Sequence, residues 1–257
     1  MWEWEAKEAK GVFVIVHGAN EYHVRYKWLI EKLNNSGFHV VMGDLPGHGV
    51  NPISQGHIHS FSEYVNTVEK WYERSVQFHL PIFILGHSMG GLVVIQTMLK
   101  KKFNVCAVIL SSPCLGLTNP PSRLKHCSAY LIHKIHPKFR LPTNLAEGTR
   151  CKEMIQRDDN DPHLVKKVSV RWYFELTNAM ESSHHEVSNF PNVPVLVLQG
   201  GNDLIVDKSA VIQWFNQLKN TEKYYKEWPG LYHEVFNEPE KEKVFRVTKA
   251  FTEMHLK

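Results

Sequence analysis

The sequence predicts an α/β fold: a mostly parallel sheet flanked by helices, with one inserted cap. Three observations predict it. Apolar runs of strand length recur, each ending in turn residues. Helix-length stretches lie between them. The alternation breaks once, over a long segment of different composition.

In chain order, the strand-like runs are 11–16, 38–42, 81–85, 105–110 and 193–198, with 223–228 alternating less clearly. Their Val/Ile/Leu content suits parallel strands buried on both faces. The helix-like stretches are 26–35, 61–78, 90–101, 208–218 and 239–254. Strand followed by helix, repeated, implies right-handed crossovers.

The alternation stops between residue 114 and about residue 180. Residues 114–180 are therefore expected to form a cap or lid, and 1–113 with 181–257 the core domain. An insertion at the carboxyl end of a strand lies over the region where such sheets bind ligands. Between Cys114 and Glu175 there are 11 Lys and Arg against 6 Asp and Glu, so the chain's net charge of +4 is concentrated there. A solvated face is one reading, and attraction to anionic lipid headgroups is the other. No motif points to nucleic acid.

Residues 1–10 lack the apolar centre of a signal peptide, and no apolar run is long enough to span a bilayer. The expectation is a cytoplasmic protein able to sit peripherally at a membrane. Cys106, Cys114, Cys127 and Cys151 form no C-x-x-C pair, so free thiols are expected rather than disulfides or a zinc site.

Gly86-His87-Ser88-Met89-Gly90 reads G-x-S-x-G between a strand-like run and a helix-like one. That context predicts a sharp turn that lifts the Ser88 hydroxyl above the sheet, with the glycines permitting close backbone approach. A serine hydroxyl needs a base to become a nucleophile. In this arrangement the chain order is serine, acid, histidine. After the last apolar run only His233 and His255 qualify. His255 sits near the terminus, where fraying is expected, so His233 is the candidate base. The acid should follow run 193–198, where Asp203 is the candidate. Asp207 is its rival, with helix capping as the alternative role. Asp158, Asp159 and Asp161 are expected to be solvated. The oxyanion donors are expected at the backbone N–H groups of Met89 and Ala19, with Asn20 as a fallback.

Six segments then resemble the monoacylglycerol lipase and lysophospholipase family, and most closely its bacterial phospholipase members. They are His17-Gly18-Ala19-Asn20-Glu21 through Arg25-Tyr26, Gly43-Asp44-Leu45-Pro46-Gly47-His48-Gly49, Gly56-His57-Ile58-His59-Ser60-Phe61, the GHSMGG run from Gly86 to Gly91, Gly201-Asn202-Asp203 through Asp207, and His233-Glu234 through Glu238. The resemblance spans residues 12–251. It implies the α/β-hydrolase fold, Ser88, Asp203 and His233 as a triad, and Ala19 and Met89 as the oxyanion hole. It also implies lipid esters with one long acyl chain as substrates, held beneath the cap. Asn20 and Gln55 depart from common family residues near the expected entrance, which bears on head-group preference.

His17 and His87 are expected to shape loops, and His48 and His57 to anchor turns. The pair His184-His185 lacks partners at metal-ligand spacing, so no metal or cofactor is expected. The expected reaction is two-step acyl transfer through an acyl-enzyme. The alternatives are an acyltransferase or small-peptide hydrolase with the same triad, or a lipid-binding protein without turnover.

Overall fold

The computed structural model describes residues 1–50, 52–143 and 147–256. The strands are β1 (Trp2–Trp4), β2 (Gly11–Val16), β3 (Phe38–Met42), β4 (Ile82–His87), β5 (Ala107–Ser111), β6 (Arg140–Pro142), β7 (Lys167–Ser169), β8 (Val195–Gly200) and β9 (Lys223–Trp228). The helices are α1 (Lys27–Asn35), α2 (Ser62–Val76), α3 (Met89–Lys100), α4 (Arg123–Ile135), α5 (Lys152–Asp159), α6 (Val170–His185), α7 (Lys208–Gln217) and α8 (Lys241–Met254). Among the described residues, seven strands form one sheet in the order β1-β3-β2-β4-β5-β8-β9. All its pairings are parallel except that of β1 with β3. This is the mostly parallel α/β sheet that the alternation predicted, in the α/β-hydrolase arrangement that the resemblance implied.

The two faces of the sheet are filled by alternate residues of the same strands. On β2, Val12, Val14 and Val16 pack into a cluster with residues of α2, α3 and α6. Phe13 and Ile15 point the other way, into a cluster with residues of α1 and α8. Burial on both faces is why these strands read as continuous apolar runs rather than alternating ones.

Strand β1 was not anticipated. It is three residues long, too short for a period to register, and its partner β3 lies far along the chain. Glu3 accepts both ends of the Arg74 guanidinium fork at 2.8 Å, and Trp2 stacks on His23 with ring centroids 3.7 Å apart.

The 114–180 segment leaves the carboxyl end of β5 and contains α4, the antiparallel pair β6 and β7 with α5 between them in sequence, and the first part of α6. Residues 144–146 of it lie outside the described residues. Helix α6 runs on to His185 and buries Val170, Trp172, Phe174, Leu176, Ala179 and Met180. Helix α4 buries none of its residues.

Candidate active site

The parallel strands deliver their loops to one end of the sheet, and four of those loops meet there. Strand β4 runs straight into Ser88, and α3 begins at the next residue, earlier than the sequence suggested. Ser88 adopts φ 52° and ψ −120°, a left-handed conformation costly for a residue with a Cβ. The surroundings impose it. Ser88 N–H donates to Ser111 O at 2.9 Å, and Ser88 O accepts from Cys114 N–H at 2.9 Å. The turn also requires its glycines: a Cβ on Gly86 would lie 2.5 Å from Gly90 O, and one on Gly90 would collide with the backbone of Val16 and His17. Strain at one serine that lines the cavity is the pattern expected of a nucleophile elbow.

His233 lies in the loop after β9 and is buried. Its Nδ1 bonds Asp203 Oδ2 at 2.8 Å. Asp203, in the loop after β8, is also the acceptor for Gln199 Nε2 at 2.9 Å on the same oxygen. Its other oxygen accepts the N–H groups of Ile205 and Val206, each at 2.9 Å. Burial opposes the charged form of Asp203, but the facing imidazole and these donors outweigh it and hold its pKa below the ordinary 3.8. Burial likewise pulls His233 down, but the Asp203 carboxylate and its hydrogen bond prevail, and the pKa lies above the ordinary 6.5.

The sign of the pH effect follows. A base must be neutral, and a raised pKa keeps the imidazole protonated to higher pH. The rise of kcat/KM with pH is therefore expected to have its midpoint above 6.5. A midpoint at or below 6.5 in a pH-rate profile would mean that Asp203 does not hold the imidazole in solution.

Asp207, the rival acid, caps α7: its side chain accepts Ser209 N–H at 2.8 Å. His255 is not frayed. It closes α8 as a buried residue, with its ring 4.6 Å from that of Phe251.

The expected oxyanion donors are the backbone N–H groups of Met89 and Ala19. Met89 opens α3, and the first N–H groups of a helix have no intrahelical acceptor. Ala19 lies in the loop after β2, and both residues line the same cavity as Ser88 and His233. His17 fixes that loop as a neutral ring: Nδ1–H donates to Gly18 O and Nε2 accepts Leu45 N–H, both at 2.8 Å. Burial lowers its pKa. Asn20, the fallback donor, also has positive φ, at 63°.

Sequence reasoning gave no role to a buried ion network beside these groups. Arg25 donates to Glu21 Oε2 and to Glu234 Oε2, both at 2.8 Å. Glu21 Oε1 accepts Gly18 N–H at 2.5 Å and Tyr26 O–H at 2.6 Å. Arg25 also forks onto Asp158 of α5, at 3.2 Å and 2.5 Å. Asp161 accepts Tyr22 O–H at 2.8 Å. The expectation that Asp158 and Asp161 are merely solvated is therefore wrong, because both reach back to the loop after β2. The available signals were the Glu21–Arg25 spacing of four residues and the place of Glu21, Arg25 and Glu234 in the resembling segments; Asp158 and Glu234 lie more than 130 residues from Arg25, and no local pattern pairs them with it.

The cavity is about 420 Å³. Its wall is apolar where Leu117, Leu141, Val168, Trp172, Leu176 and Ile205 line it, and polar around His233, Glu234, Arg25 and Glu21. Among the described residues there is no cluster of His, Cys, Asp or Glu suited to a metal ion. His184 Nε2 instead donates to Leu115 O at 2.9 Å.

The sequence matches the family described as serine aminopeptidase, S33, over residues 7–240. It is similar to phospholipase YtpA of Bacillus subtilis, at 47% identity over the full length of both chains. It is also similar to the human monoglyceride lipase, at 28% identity over 89% of this chain and 77% of that one. Among solved structures it resembles the monoacylglycerol lipase of Paleococcus ferrophilus, with 31% identity, a TM-score of 0.89, and coverage of 99% of this chain and 98% of that one.

Proposed function

The chain belongs to the serine aminopeptidase S33 family of α/β-hydrolases, and from that premise we propose that it hydrolyses carboxylic esters of single-acyl-chain lipids, monoacylglycerols or lysophospholipids. The observation that carries this reading is one cavity lined at once by Ser88, His233 and an apolar wall. Its volume falls in the lower half of the roughly 300–1,000 Å³ range of small-molecule pockets. The names of the relatives, a phospholipase and monoacylglycerol lipases, agree with it.

In this mechanism Ser88 Oγ attacks the ester carbonyl while His233 Nε2 takes the hydroxyl proton. The N–H groups of Ala19 and Met89 stabilise the oxyanion. Collapse of the tetrahedral intermediate expels the alcohol, which leaves with the proton from His233. Water, deprotonated by His233, then attacks the acyl-enzyme and releases the fatty acid. Asp203 holds the imidazole in the tautomer with Nδ1–H and stabilises the imidazolium.

The family description also names an aminopeptidase, which would need an uncommitted carboxylate to hold a substrate ammonium. Among the described residues lining the cavity, the carboxylates Glu21 and Glu234 are both engaged by Arg25, which disfavours that reading.

The 114–180 segment serves as the cap, and α4 is its contact with a lipid surface. Leu124, Leu131 and Ile135 are 79%, 65% and 75% exposed on that helix, beside Arg123, Lys125 and Lys134. Exposed leucines among basic residues suit the interface of an anionic bilayer. No helix among the described residues is long and apolar enough to cross a membrane.

The test is fatty-acid release from monoacylglycerols, lysophospholipids and diacyl phospholipids in phosphatidylglycerol-containing vesicles, with a short p-nitrophenyl ester alongside. Single-chain lipids are expected to be preferred. Added salt is expected to slow the vesicle reaction but not the short ester, because screening weakens only the surface attraction. Preference for diacyl lipids would overturn the substrate reading, and a salt-insensitive vesicle rate the surface reading.

A further inference from the structure

The 114–180 segment is not held to the core evenly. Helix α4 touches its neighbours mainly through rings: His126, Tyr130 and His133 against Phe174. Residues 148–161 are bound by polar groups instead, and the groups they bind flank His233. Gly148 O accepts Glu234 N–H at 2.8 Å, and Thr149 O–H donates to Asn237 O at 3.0 Å. Arg150 pairs with Glu238 at 2.8 Å and Glu240 at 2.5 Å. The buried Glu238 carboxylate also accepts Tyr232 N–H at 3.0 Å. At the far end of this stretch Asp158 meets Arg25, whose other partners are Glu234 and Glu21.

Arg25 thus joins three segments distant in sequence. Through Glu21 it reaches the Gly18–Ala19 backbone. Through Glu234 it reaches the residue after His233. Through Asp158 it reaches α5. The Arg25 side chain is 5% exposed, and those of Glu21 and Glu234 are 3% and 15% exposed. Charge-assisted bonds this sheltered are strong and geometrically specific, which a flexible surface pair is not.

We propose that Arg25 is a positioning residue, and that Asp158, by docking α5 on it, holds the His233 loop in register with Asp203, so that 148–161 belongs to the catalytic scaffold. The inference rests on His233 being the base of the proposed triad. Around His233 the facing titratable groups are Asp203, Glu234, Glu21 and His87; around Asp158 they are Arg25, Arg157 and Glu234. Loss of the Asp158 fork leaves Arg25 with two partners instead of three. The His233 loop then samples positions farther from Asp203, and the imidazole loses part of the interaction that raises its pKa.

The experiment compares Asp158→Asn and Arg25→Lys with Asp159→Asn, an equal charge change on the same helix at an exposed residue without an ion pair among the described residues. The substrate is a short p-nitrophenyl ester, which does not fill the capped cavity. Asp158→Asn and Arg25→Lys are expected to lower kcat on the order of 10-fold with KM within about twofold, as remote misplacement of a reacting group does. The acid limb of the profile is expected to move down toward 6.5 in both. Asp159→Asn is expected to match the wild type. The proposal is overturned if Asp158→Asn behaves as Asp159→Asn does. It is equally overturned if activity falls only in step with the thermal midpoint while the acid limb stays in place, since that marks a merely structural contact. Hydrolysis retained by Ser88→Ala in the same assay would instead overturn the triad reading itself, a result distinguishable from either.

Discussion

Replacing Ser88 by alanine is expected to reduce ester hydrolysis by at least about 10⁴-fold while leaving the fold intact. The size follows from chemistry: without the hydroxyl no acyl-enzyme forms, and only the oxyanion donors and binding remain. The intact fold follows from geometry. Alanine keeps the Cβ, so it meets the same strain at φ 52° that serine already bears. The backbone bonds that hold the turn, to Ser111 O and from Cys114 N–H, do not involve the side chain. Release of p-nitrophenol, read together with a thermal melt, is the measurement. A folded Ser88→Ala protein with more than half the wild-type rate would remove Ser88 from the mechanism.

Asp203→Asn is expected to cost about 10⁴-fold in kcat, whereas Asp207→Ala should leave kcat within about twofold and cost on the order of 1 kcal/mol of stability. The two carboxylates stand four residues apart in one loop, yet their surroundings differ. Asp203 takes four donors, two on each oxygen. An asparagine there must offer its amide N–H₂ either to the backbone N–H groups of Ile205 and Val206 or to His233. The first leaves donors facing donors. The second drives the imidazole into the tautomer with the proton on Nε2, which cannot accept the serine proton. Among the described residues, the Asp207 side chain has only the capping bond to Ser209 to lose. Steady-state kinetics and thermal melts on the pair separate the roles. Comparable losses of kcat in both variants would overturn the assignment.

The stability contributions have opposite pH windows. Asp203, with a lowered folded pKa, stabilises above its unfolded value, and that contribution fades as pH falls through the folded one. His233, with a raised folded pKa, stabilises below its unfolded value and loses that contribution as pH rises through the folded one. Their paired interaction is therefore worth most in the window between, where the acid is ionised and the imidazole protonated. Catalysis needs the imidazole neutral, so the pH of greatest activity is expected to lie above the pH at which this pair stabilises most.

What was legible in the sequence was what is local. The parallel strands announced themselves because both faces are buried, and a run such as 11–16 can then contain nothing polar. The elbow was legible because a strand, a sharp turn and a helix occupy consecutive residues around Ser88, and the turn admits only glycine at Gly86 and Gly90. Helix and strand ends shifted by one or two residues, as at α3, where capping and strain rather than apolar periodicity fix the boundary.

The sequence by itself thus determined the alternation of the main strands and helices, the turn that strains Ser88, and the short roster from which His233 and Asp203 were drawn. The tertiary structure alone decided the rest. It separated Asp203 from Asp207 by giving one an imidazole and the other a helix terminus. It set β1 on the sheet edge and folded His255 back onto Phe251. It also gathered Glu21, Glu234 and Asp158 around Arg25. The physical reason is range. A turn or a strand is fixed by sterics and burial among neighbouring residues, whereas an ion pair between residues 25 and 158 exists only once the chain has closed a loop of more than a hundred residues. Many acidic residues could satisfy one guanidinium, and only the packed fold selects among them.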